Sequence, residues 1–158
     1  MTLNPTPETP SVLRRILLAI LAFGIVGLVP ELLLLEHLKS PTQLIPFALL
    51  LLMAAGVGLV YFRPNRTNLR LFQGLMILVA LGGLMGVWEH LEGNLEYVRE
   101  LSPTLSGFPL LWKALHKGAP VLAPGVMLQM ALLGLAFTFR HPAWGERGGE
   151  RRARAVRE

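Results

Sequence analysis

Six side chains carry the chemistry worth locating first: Glu31, Glu36, His37, Glu89, His90 and His116. The tripeptide Glu-His-Leu occurs twice among them, as Glu36-His37-Leu38 and as Glu89-His90-Leu91. A neutral imidazole nitrogen and a carboxylate oxygen are both ligands for borderline divalent ions, and a mixed set of this kind accepts Zn, Mn, Fe or Cu(II) without choosing among them. The expected site is a metal or other cation held by His37 and His90, with Glu31, Glu36 and Glu89 beside them and His116 arriving from a later segment. The same two histidines would serve as axial ligands of haem b in a small haem- or quinone-binding redox subunit. Against haem stands the placement of the histidines, none of which falls in the middle of an apolar run.

Other chemistries are missing from the sequence. There is no cysteine, which excludes disulfides, thiolate metal sites, CxxC redox pairs and covalently attached haem. Nothing matches the Glu-x-x-His pairs of di-iron helix bundles, His-Glu-x-x-His, a glycine-rich phosphate loop or a serine triad. An enzyme is not expected. The methionines, among them Met76, Met85, Met127 and Met130, fit helix packing better than copper handling.

The elements that must position these residues are written in the hydropathy. Of the 158 residues, 53% are hydrophobic and only 16% charged, a balance too apolar for an ordinary soluble domain. The isoelectric point near 10.4 comes from short basic clusters between long apolar runs, so the bilayer rather than nucleic acid is the natural partner. A hydrocarbon core of ~30 Å takes roughly 20 apolar residues as helix. Residues 16–35, 44–62, 69–88 and 120–139 supply four such runs. In lipid each must be a helix, because backbone amides have no water to bond. The expected fold is an all-α integral membrane protein with a compact bundle of four transmembrane helices. Pro30, Pro46 and Pro124 are expected to kink or shorten their helices, and Gly24, Gly27, Gly56, Gly58, Gly82, Gly86 and Gly134 to let helices approach closely. Arg14 and Arg15 ahead of the first run read as the anchor of a retained helix rather than a cleaved signal, since the run outlasts a signal peptide and no small-x-small site follows.

Orientation follows from the basic residues. With the amino terminus inside, that side holds Arg14, Arg15, Arg63, Arg66, Arg70, Arg140, Arg147, Arg151, Arg152, Arg154 and Arg157, leaving Lys39, Arg99, Lys113 and Lys117 outside. That asymmetry is what the positive-inside rule favours, and an even number of spans puts both termini in the cytoplasm of a bacterial-type inner membrane. Three regions follow: a mobile cytoplasmic segment at 1–15, the transmembrane domain at 16–139 and a basic cytoplasmic tail at 140–158 able to touch anionic lipid.

The outer face then collects Glu31, Glu36, Glu89, Glu92, Glu96 and Glu100 together with three of the four histidines. Both Glu-His-Leu tripeptides stand at the ends of outward-running spans, hence at one depth. Glu31 lies about one turn inside the boundary, where an ionised carboxylate must snorkel, pair with Arg99 or a lysine, or bind a cation. In the outer loop 89–118, the third helix is expected to continue through 89–101, with Glu89, Glu92 and Glu96 on one stripe and His90 and Asn94 on the next. Residues 108–117 set Phe108, Leu111, Trp112 and Leu115 at helical spacing, the pattern of a short amphipathic helix on the outer membrane surface or over the bundle mouth. The functional expectation is an accessory or structural subunit of a larger membrane complex or of a homo-oligomer, with Gln73 and Gln129 bonding across helix interfaces and a cation site at the outer mouth. A small dimeric transporter is the further alternative, although no span carries a charge at its middle.

Overall fold

The computed structural model describes residues 9–145, and the terminal segments read above as mobile and as a basic tail lie for the most part outside them. Among the described residues every regular element is a helix. These are α1 (Thr9–Leu34), α2 (Ile45–Phe62), α3 (Arg66–Leu101), α4 (Gly107–His116) and α5 (Gly125–Thr138), with short 3-10 turns at Pro41–Leu44 and Pro142–Trp144. Three stretches, Ser11–Leu34, Pro41–Phe62 and Arg66–Leu101, are long and apolar enough to cross a membrane.

The last apolar run is shorter as a helix than the expected 120–139. At 14 residues, α5 extends only ~21 Å. Pro120 and Pro124 explain the loss: neither has an N–H to donate, and the chain between them folds as turns, with Ala123 N–H on the Pro120 carbonyl at 3.1 Å and Gly125 N–H on Leu122 at 2.9 Å. Pro46 sits in the first turn of α2, where its missing N–H costs nothing, and Pro30 lies inside α1.

The core forms where α1, α2, α3 and α5 meet. Leu21, Met53, Leu69, Phe72, Met76, Val79 and Ala131 are fully buried, and Phe72 meets Phe137 edge to face at 5.8 Å. Elsewhere the helices present apolar surface outward: Phe23 and Leu34 are each 81% exposed. Such surface is unfavourable in water and natural in lipid. Helices α3 and α5 approach backbone to backbone: a β-carbon on Gly83 would lie 2.8 Å from the Leu128 backbone nitrogen, and one on Gly86 would lie 2.8 Å from Pro124. At the opposite end of this pair, Gln73 Nε2 donates to Thr138 Oγ1 at 2.9 Å, and Trp144 Nε1 donates to the Thr138 carbonyl at 2.8 Å. Arg14 ties α1 to the same place through the Arg140 carbonyl at 2.8 Å.

The amphipathic helix expected at 108–117 is α4, and it folds back along the extension of α3. Leu110 and Ala114 bury against Val98, flanked by Leu91, Leu95 and Leu105. The stripe picked out by helical spacing is the other face: Phe108 is 70% and Trp112 56% exposed, and their rings stack at 6.1 Å. The helix is apolar on both sides, and the smaller pair of residues won the packing because Ala114 lets two helix backbones come close.

A candidate cation site at a histidine pair

His37 owes its place to the way α1 ends. The His37 N–H reaches back to the Leu32 carbonyl and the Glu36 N–H to Leu33, both at 3.0 Å, the paired bonds of a Schellman cap. Such a cap needs a left-handed residue at its centre. Here that residue is Glu36 at φ 54°, where glycine would sit without strain. The turn takes His37 out of the helix, where its ring comes near that of His90.

His90 is placed by α3. With Asn94, Val98 and Ser102 it forms a stripe at i, i+4 spacing that holds the returning chain. His90 Nδ1 lies 3.0 Å from the Pro120 carbonyl, and Asn94 Nδ2 donates to the carbonyls of Ala114 at 3.0 Å and Ala119 at 2.7 Å. Asn94 Oδ1 accepts from Ala119 N–H at 2.9 Å, Val98 packs on Leu110 and Ala114, and Lys113 Nζ donates to Ser102 Oγ at 2.8 Å. A carbonyl only accepts, so Nδ1–H of His90 is the donor, and the neutral form of the ring would carry its lone pair on Nε2. Metal-binding histidines are oriented in the same manner.

The two rings approach within 6.3 Å, centre to centre, inclined by 38°. Two imidazoles that share one tetrahedral ion at about 2.0–2.1 Å from each nitrogen place their ring centres roughly 5 Å apart, so the two rings would have to close by about 1 Å to hold one. The His37 Nδ1 is buried without a hydrogen-bond partner, a polar atom left to be satisfied by something else.

The other four expected ligands do not join this pair into a larger cluster: among the described residues no three His, Asp or Glu side chains gather as ligands for one ion. Glu36 forms an ion pair with Lys39, three residues on. His116 lies on the exposed side of α4, its Nδ1 2.8 Å from the Trp112 carbonyl and its ring 4.5 Å from the Trp112 ring. Glu31 and Glu89 are exposed, as are Glu92 and Glu96, and none of the four forms an ion pair among the described residues. An ion between His37 and His90 would fill its remaining positions with water or with groups from another molecule.

Sequence reasoning placed His90 and Asn94 on one stripe but missed what that stripe holds. The available signal was Gly118-Ala119-Pro120, a break just before the last apolar run. No protein-family model matches the chain, and neither a curated protein nor a solved structure shows significant similarity to it.

Proposed function

We propose that the protein is an integral membrane subunit that acts by assembling with a larger membrane complex or with further copies of itself. In this reading α1, α2 and α3 cross the bilayer, α5 makes a fourth and shortened pass, and the basic residues hold both termini in the cytoplasm. The observation that supports assembly is the different fate of two amides in apolar helices. Gln73 is satisfied inside the chain by Thr138. Gln129 is exposed on the outward face of α5, at helical spacing with Val126, Leu132 and Ala136, and has no hydrogen-bond partner among the described residues. An amide facing lipid alone is unfavourable, and a partner helix with a polar side chain relieves it.

The test uses the absence of native cysteine. A single Leu132→Cys reporter, oxidised in native membranes, is expected to give one defined cross-linked species. Gln129→Leu should reduce its yield by about threefold, the factor that corresponds to ~0.6 kcal/mol for an interhelical hydrogen bond. A parent reporter that stays at the 17.4 kDa of one chain would overturn self-association through α5, and migration of the native-membrane protein as a single chain on a native gel would overturn assembly altogether.

A second reading, a cation site at the outer face, draws on the His37–His90 separation and the Nδ1 contact that orients His90. Both a bare divalent ion and the axial positions of haem b call for two imidazole nitrogens. Elemental analysis and a visible spectrum of one preparation separate the two.

A further inference from the structure

Near one end of the α1–α2 hairpin the two helices part, leaving an open groove of about 380 Å³. Its walls are Ala19 and Ala22 from α1 and Ala54 and Gly58 from α2, and the antiparallel pairing brings Arg15 and Tyr61 to the same end. A β-carbon on Gly58 would meet no atom within 4 Å, so the space beside it is free. The lining is thus apolar along its length and cationic with a phenol at its mouth, the polarity pattern of a lipid.

Charge narrows the occupant. Arg15 is exposed and makes no ion pair, hydrogen bond or ring contact among the described residues. The described acids, Glu31, Glu36, Glu89, Glu92, Glu96 and Glu100, all belong to the other end of the molecule. A second copy seated here in the same orientation, groove to groove, would bring its own Arg15 against this one, a like-charge contact. Free phosphate would leave the apolar walls empty. We infer that the groove binds one acyl chain of an anionic diacyl phospholipid, with the phosphate facing Arg15 beside Tyr61. The inference rests on the membrane placement proposed above, and is independent of assembly through Gln129.

The experiment places the full chain in phosphatidylcholine nanodiscs and adds trace spin-labelled phosphatidylglycerol or phosphatidylcholine, reading the motionally restricted fraction by electron paramagnetic resonance. The parent is expected to prefer phosphatidylglycerol by about fivefold, the factor equivalent to ~1 kcal/mol for one arginine at a membrane surface. Arg15→Gln should erase that preference, while Arg70→Gln, outside the groove, should keep it. Gly58→Leu, and Ala22→Leu from the facing wall, should each remove most of the excess of restricted phosphatidylglycerol over phosphatidylcholine, with helix content by circular dichroism showing that the fold persists. Equal restriction of the two lipids in the parent would overturn the inference. So would an excess untouched by both filling variants, or cross-linking of two chains through Ala22→Cys, which would seat a second copy in the groove. Because these readouts follow lipid and not association, a failure of the Gln129 test would leave them intact.

Discussion

The side-chain oxygen of Asn94 occupies the space that a β-carbon on Gly118 would need, and Gly118 itself is held at φ 87°, a conformation that side chains disfavour. Two residues 24 positions apart in the chain therefore exclude any larger pair at this point. The close approach lets one buried amide satisfy the Ala114 carbonyl and both polar groups of Ala119, closing the α3–α4 hairpin and setting the Pro120 carbonyl against His90.

Gly118→Ala and Asn94→Leu should each open the hairpin. The first adds strain and a clash; the second leaves the Ala119 N–H and two carbonyls unpaired, at about 1–3 kcal/mol for a buried group. Hydrogen exchange at Ala119 measures the effect, with protection expected to fall while the amides of α1 and α2 keep theirs. Unchanged protection would show that Val98 and Leu110 hold the segment alone.

The two faces of α4 should behave oppositely. Leu110→Ser removes a buried contact with Val98 and should lower exchange protection along 107–116, at a cost of about 2 kcal/mol or more. Replacing exposed Leu111 and Trp112 together with Ser should leave protection close to the parent, within about 0.5 kcal/mol. The reverse order would mean that the aromatic face, and not Val98, anchors the helix.

What the sequence disclosed follows from what periodicity and hydropathy can measure. Apolar length located α1, α2 and α3, because a run of about 20 apolar residues has few other uses. Apolar length alone set the last run at 120–139, while Pro124, expected to shorten it, does so: α5 begins at Gly125. Helical spacing found α4 and its exposed stripe of Phe108, Leu111, Trp112 and Leu115, but it did not show that Leu110 and Ala114 on the other face pack against Val98. The Glu-His-Leu repeat brought His37 and His90 to attention, and they do meet at 6.3 Å. The repeat also implied equal roles for Glu36 and Glu89, which the local backbone denies. Glu36 caps a helix and pairs with Lys39, whereas Glu89 stands exposed within a continuous helix.

The α3–α5 contact should tolerate no side chain at Gly83. A β-carbon there meets backbone atoms of Leu128 and Pro124, which cannot rotate away. Gly83→Val should cost about 1–3 kcal/mol in thermal unfolding in detergent. Gly27→Ala, where nothing lies within 4 Å, should be neutral or mildly stabilising by up to about 1 kcal/mol. Equal effects of the two changes would show that the helices are not packed at Gly83.

Topology can be read with accessibility tags. Tags after Phe62 and at the carboxyl terminus should report cytoplasm, and one at Ser106, in the turn between α3 and α4, should report the outer space. A Ser106 tag protected on the outer side and reactive in the cytoplasm would invert the molecule and place the histidine pair inside.

The histidine pair itself is tested by ion uptake. If one ion sits between the rings, each histidine supplies a bond that no other described side chain can replace, because no third ligand stands by. His37→Ala and His90→Ala should then each weaken Zn²⁺ binding, measured by titration calorimetry on the purified chain, by at least roughly 100-fold. Glu36→Gly separates binding from architecture. It removes a carboxylate already engaged by Lys39 and relieves the left-handed strain at the end of α1, so it should leave uptake unchanged and raise stability by about 1 kcal/mol. Loss of uptake in Glu36→Gly would make Glu36 a ligand after all. A parent chain that binds neither Zn²⁺ nor haem, with His37→Ala and His90→Ala silent in stability, would reduce the pair to a packing contact at the end of α1.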